Sequence, residues 1–277
     1  MPLAPFTDLL AAARRAGSAV AAFSVYDAES LVGVLRAAAG RPLIVLVSSQ
    51  LVAEPGGDLV VAGMLAMAER APSPVSLQLD HARDLDVIAA GCELGLGAVM
   101  ADGSGLPYDE NVAFVLAARA LAAPRGIAVE AELGHLAGEE EVALAVDPGP
   151  LTDPAAAERF ARETGTDCLA VAFGYVHGIY RGAPRLDLGH LRAIAARVAV
   201  PLSLHGGSGL AASAVAGAIA GGMTKVNFNT ELRQAYLART ADELPGARDG
   251  ARLLALHRAQ ADAVAAVAAE RFAVLSA

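Results

Sequence analysis

The chain has no tryptophan, two cysteines and one lysine, Lys225. The cysteines, Cys92 and Cys168, each lie inside an apparently regular segment without metal-ligand spacing, so they read as small buried thiols in a reducing compartment. No lysine- or arginine-rich run occurs and the formal net charge is −9, which argues against nucleic acid as a partner because phosphate binding needs a basic face. No uninterrupted apolar run is long enough for a membrane span, which takes about 20 residues. The basic pair Arg14-Arg15 follows the first apolar stretch instead of preceding it, and Asp8 lies within that stretch. A signal peptide is therefore not expected, and a cytoplasmic location is.

What the chain does have is alanine and short apolar runs. It is 277 residues long and 55% hydrophobic, with 28 glycines and 14 prolines. That length suits one α/β barrel, which typically runs to about 250 residues. The apolar runs are 19–26, 42–49, 74–81, 97–104, 127–134, 168–175, 201–208 and 225–232. Near-continuous apolar strands imply burial on both faces, as in a parallel sheet covered by helices. Helical segments lie between them, one of which starts at Asp153-Pro154 and stops at Gly165. The expectation is a single (β/α)8 TIM barrel over residues 1–277, with an N-terminal helix near 7–16 and C-terminal helices near 231–244 and 249–274. No linker divides it, and the glycine fingerprint of a doubly wound dinucleotide fold is missing after the first strand.

In such a barrel the C-terminal strand ends carry chemistry. Three histidines fall there: His81, His177 and His205. Three converging imidazoles suit zinc with an open coordination position, and cobalt or manganese are alternatives. Asp102 and Glu132, also at strand ends, are oxygen donors that could bind the metal or orient the histidines. The loop HGGSG (205–209) and the stretch NFNTE (227–231) follow the last two strands and suggest an anion site for a small phosphorylated substrate. The acidic run Glu139-Glu140-Glu141 lies in a long loop that could close over the mouth and bring a mobile base.

These residues resemble a family, the class II zinc-dependent ketose-bisphosphate aldolases of fructose- or tagatose-bisphosphate type. The resemblance runs through LQLDHA, MADGS, VEAELG, GYVHGIY, LHGGSGL and KVNFNTELR. It implies that His81, His177 and His205 hold zinc, with Asp102 and Glu132 at positions that bind metal in some members. It implies that Asp80 protonates the aldehyde-derived oxygen and that Glu140, with Glu139 beside it, takes the carbon-bound proton. Gly178, Gly206, Gly207, Ser208, Asn227, Phe228, Asn229 and Thr230 match the dihydroxyacetone-phosphate pocket, with Ser24 and Ser48 as further substrate-side candidates. Sodium or potassium near Gly178 and Ser208 occurs in some relatives, and homodimers or homotetramers are common. The implied activity is that of a lyase cleaving a phosphorylated ketose to dihydroxyacetone phosphate and an aldehyde.

Several departures bear on the substrate. Ser24 stands where the family usually has asparagine, Ala137-Gly138 stands for Gly-Gly, and Tyr175 is bulkier than expected. The C-terminal region lacks the Asp-Pro-Arg segment many relatives place near the distal phosphate, leaving Arg248 or Arg252 as substitutes. A different, mono-phosphorylated ketose or another aldehyde is the alternative, and a non-catalytic phosphosugar-binding relative is a second one. A metal-dependent epimerase or isomerase is a third. A Schiff-base aldolase would have to use Lys225, whose place early in the eighth strand puts it below the mouth.

Overall fold

A computed structural model of the chain describes residues 3–134, 149–175 and 186–275, with the backbone alone at 145–146 and 179–180. Eight parallel strands close into a barrel: β1 Val20–Val25, β2 Leu43–Ser48, β3 Val75–Ala82, β4 Ala98–Ala101, β5 Ala128–Leu133, β6 Cys168–Val171, β7 Leu202–Leu204 and β8 Met223–Phe228. Each strand lies beside its sequence neighbours and β8 returns to β1. A separate two-residue ladder joins Ala145–Val146 to Ile179–Tyr180.

The strands fall where the apolar runs predict them, with differences at the mouth. β6 and β7 stop before the runs do, since Gly174 at φ 105° and Gly206 at φ 63° turn the chain out of the ladder. β8 begins at Met223, two residues before the expected 225, and ends at Phe228 because Thr230 already opens the helix Thr230–Glu243. Asp153 caps the helix Pro154–Thr164, accepting from the Ala156 N–H at 2.8 Å, and Gly165 ends it in the left-handed conformation. The last helix, Leu253–Leu275, starts later than the expected 249 and packs on Ala28–Ala38. A side chain at Gly33 would meet Val264 at 2.7 Å, so glycine there sets how closely those two helices approach.

Strand alternation divides the barrel into layers. Outward residues such as Phe23, Val45, Leu77 and Val99 join the large core beneath the helices. Inward residues Val20, Ala22, Ile44, Leu46, Ala98, Ala128 and Cys168 pack on Phe6, Leu9, Leu10 and Ala13 of the N-terminal helix Phe6–Ala16, which plugs the bottom. Above this apolar floor lie Gln78, Glu130, Ser203 and Lys225, all fully buried. The strand ends stand on that polar layer. No helix among the described residues is long and apolar enough to cross a membrane.

Candidate active site

The site begins with a distortion in β3. Asp80 and His81 are neighbours, and neighbours in a regular strand point to opposite faces. The strand meets this by distorting instead of ending. β3 continues to Ala82, but its register with β4 shifts between Leu79 and Ala82, and His81 adopts φ 42°. A left-handed conformation costs a residue with a Cβ roughly 1–2 kcal/mol. It turns the His81 backbone out of the pleat, and the Ser49 hydroxyl donates to the His81 carbonyl at 3.1 Å.

His81 Nδ1 lies 3.0 Å from Asp102 Oδ2. The same oxygen accepts from Arg83 Nε at 3.0 Å, while Oδ1 accepts from the Ser104 N–H at 3.2 Å and its hydroxyl at 2.7 Å. Burial alone would raise the Asp102 carboxyl, but the hydrogen bonds from His81 and Ser104 and the charge of Arg83 outweigh it and hold the group well below the usual carboxylate range. An ionised carboxylate only accepts, so His81 Nδ1 carries the proton, which in the neutral ring leaves the lone pair on Nε2.

His205 uses the opposite nitrogen. Its Nε2 sits 2.7 Å from Glu130 Oε1, and burial pushes its pKa down, which keeps the ring neutral. The remaining nitrogens, His81 Nε2 and His205 Nδ1, face each other at 2.9 Å with the rings nearly perpendicular, at 88°. Glu132 Oε2 is 3.8 Å from His81 Nδ1 and 4.0 Å from His205 Nδ1. With both rings neutral in these tautomers, two lone pairs meet close to a carboxylate, an arrangement that a cation would relieve. The residues therefore fit a metal: one ligand atom from each of His81, Glu132 and His205 can be chosen so that all lie within 4.8 Å of one another. Asp102 lies on the far nitrogen of His81, the place of an orienting carboxylate. His177, Gly178, Glu139 and Glu140 lie outside the described residues.

The phosphate-side loops are tied together. The Gly207 N–H donates to the Asn227 carbonyl at 2.9 Å, and the Asn229 N–H donates to Ser208 Oγ at 3.1 Å. A Cβ on Gly207 would come within 2.6 Å of the Asn227 carbonyl oxygen, so this glycine lets the loop lie against β8. Tyr26 donates its hydroxyl to Asn229 Oδ1 at 3.0 Å. Asn227 is buried, and neither side-chain polar atom has a hydrogen-bond partner among the described residues. It lies two residues along β8 from inward-pointing Lys225 and so faces the same interior. The Phe228 ring instead stacks on Phe23 on the helix side, 5.6 Å between centroids, leaving only its backbone for a ligand. Ser48 Oγ accepts from the Gln50 N–H at 3.2 Å as a helix cap. Ser24 is buried and lines a cavity of about 180 Å3 with Tyr26, Arg233 and Tyr236. Arg248 and Arg252 are exposed between the last two helices.

Lys225, which its place early in the eighth strand puts below the mouth, meets Glu130 of β5 across the barrel interior, a pairing that its sequence position alone does not reveal. Lys225 Nζ lies 2.8 Å from Glu130 Oε2, both side chains fully buried. A fully buried lysine held in that pair is not presented at the mouth, which weighs against the Schiff-base reading. The available signal was a glutamate and the sole lysine each placed within a nearly fully buried strand.

A closed parallel barrel with a histidine–carboxylate cluster that could hold a metal, and with glycine loops at the C-terminal strand ends, has the layout of a barrel enzyme site. Residues 4–277 match the family described as fructose-bisphosphate aldolase class-II, and the chain belongs to it. It is 37% identical over 221 residues to the uncharacterized protein YdjI of Escherichia coli K12, across 79% of this chain and 80% of that one. Among solved structures it resembles the YdjI aldolase of E. coli K12, with a TM-score of 0.87 and 32% identity over 99% of this chain and 97% of that one. It also resembles a putative fructose-1,6-bisphosphate aldolase from Coccidioides immitis, with a TM-score of 0.89 and 29% identity over 98% and 96% of the two chains.

Proposed function

We propose that the chain is a zinc-dependent lyase that reversibly cleaves a phosphorylated ketose to dihydroxyacetone phosphate and an aldehyde. The observation that carries this reading is the convergence of His81 Nε2 and His205 Nδ1, 2.9 Å apart, beside Glu132 and adjacent to Asp80. His81 and His205, with His177 from the sequence, would hold the metal, with Glu132 within reach. The bound ion would supply polarisation of the ketone oxygen. Asp80, buried next to His81, gives a proton to the oxygen of the incoming aldehyde in condensation and takes it back in cleavage. Asn227 has buried amide groups to offer a substrate hydroxyl or carbonyl, and the tied Ser208 and Asn229 loops frame the donor phosphate. Glu140, as sequence suggests, takes the proton from carbon.

A second reading, that the acceptor differs from the triose phosphate of fructose- or tagatose-bisphosphate chemistry, is favoured by Ser24. Its side chain lacks the amide usual at that position, and the residue lines the 180 Å3 cavity together with Tyr26 and Tyr236. A homodimer or homotetramer is in keeping with exposed Leu237, Leu244, Leu253 and Leu254 near the junction of the last two helices.

The test is deuterium exchange into dihydroxyacetone phosphate, followed by NMR, with zinc-loaded and chelator-treated protein. Exchange that chelation abolishes is the expected result. Absence of exchange in both samples would overturn the assignment of dihydroxyacetone phosphate as donor.

A further inference from the structure

Glu130 does not reach the metal cluster as a ligand, and its surroundings explain why. Oε2 accepts from Gln78 Nε2 and Lys225 Nζ, each at 2.8 Å. Oε1 accepts from the Ser203 hydroxyl and from His205 Nε2, each at 2.7 Å. A carboxylate offers about four lone-pair sites, and here four donors from β3, β7 and β8 occupy them. All five side chains are fully buried. Glu130 thus has no capacity left to bind substrate, bind metal or carry a proton. What it can do is demand a proton-bearing nitrogen from His205.

That demand fixes the ring. With Nε2 donating downward to Glu130, a neutral imidazole must turn its Nδ1 lone pair upward, toward His81 and Glu132. The opposite tautomer would set an Nε2 lone pair against a carboxylate oxygen and point a hydrogen into the metal position. We infer that Glu130, clamped by Lys225, Gln78 and Ser203, is a positioning residue that holds His205 in the Nε2–H tautomer and so makes it competent to bind the metal. Lys225 neutralises the charge that this arrangement places inside the barrel. The inference rests on the reading of His205 as a metal ligand, and it assigns the chain's only lysine a role in the metal site without contact to substrate.

The direct test needs no mutation. Long-range proton–nitrogen NMR on histidine-labelled, chelator-treated protein reads the tautomer, with His205 assigned by its absence from a His205→Gln variant. Protonated Nε2 is expected; protonated Nδ1 overturns the inference. Zinc affinity, measured by chelator competition, should fall about 10- to 100-fold in Glu130→Gln, the range typical when a histidine ligand loses its supporting carboxylate. Should that variant fail to fold because Lys225 is left without a counter-charge, the neutral pair Glu130→Gln/Lys225→Met is measured instead, with the same loss expected. A Glu130 variant of lowered thermal stability but wild-type zinc affinity would mean a merely structural carboxylate and would overturn the inference. Wild-type protein whose zinc affinity is indifferent to His205→Gln would instead sink the metal-ligand reading itself.

Discussion

Removing the Lys225 ammonium while keeping its bulk, as in Lys225→Met, tests the ionic layer most directly. The substitution leaves the Glu130 carboxylate fully buried with Gln78, Ser203 and His205 but without the cation 2.8 Å away. Breaking a buried pair by removing one partner costs about 3–5 kcal/mol. Three neutral donors remain, so the lower end applies, about 3 kcal/mol, or roughly 6–12 °C in Tm for a domain of this size. The charge of Lys225, with the hydrogen bond from His205, outweighs burial and holds the Glu130 carboxyl well below its usual value. A depressed carboxyl contributes stability above its unfolded pKa, about 4.3, and loses it as pH falls through the folded value. The gap between wild type and Lys225→Met should therefore be widest near neutrality and narrow as pH falls toward and below about 4.3, because the variant's buried carboxyl, no longer held down by Lys225, takes up its proton first. Equilibrium urea unfolding of chelator-treated protein from pH 7 to 3.5 measures it. The double change Glu130→Gln/Lys225→Met should recover part of the loss, because it removes the unpaired buried charge while keeping an oxygen to accept from its neighbours. A single variant within 1 kcal/mol of wild type at pH 7, or a gap that ignores pH, would refute the reasoning.

Other outcomes follow from the same geometry. Asp102→Asn replaces an acceptor-only carboxylate with an amide that can turn its NH2 toward His81, so zinc affinity should drop about 10- to 100-fold by chelator competition. An unchanged affinity would remove Asp102 as the orienting group. Asp80→Asn should lower turnover about 10²- to 10⁴-fold while leaving zinc affinity within a few-fold of wild type. If affinity and turnover fell together, Asp80 would belong to the metal site and not to proton transfer. Gly207→Ala would force a methyl group to 2.6 Å from the Asn227 carbonyl, against backbone that cannot swing aside. A loss of about 1–3 kcal/mol is expected by thermal unfolding, and no change would show that the HGGSG loop does not rest on β8.

Much of this molecule is written in local pattern. Apolar runs flanked by periodic segments specify strands and helices, and Asp153-Pro154 with Gly165 bounds a helix that begins and ends at those residues. His81, Asp102, Glu132 and His205 were legible because each stands where an apolar run gives out, and the mouth of a closed barrel gathers such residues. Short-range signals did less well at that mouth. Gly174 and Gly206 follow the early ends of β6 and β7, and β8 starts two residues before its apolar run and stops four before the run does, where Thr230 opens the next helix.

The sequence alone determined the number of strands, the plug helix and the residues that reach the mouth, because periodicity and strand ends are local properties. Tertiary structure decided how those residues are used. Glu130 and Lys225 are distant in the chain, and only closure of β8 on β1 across the barrel brings them together. The left-handed turn at His81, which no propensity predicts, is held by its neighbours and puts Asp80 and His81 in one site. Which nitrogen each histidine presents depends on the carboxylate behind it, and that partner comes from another strand.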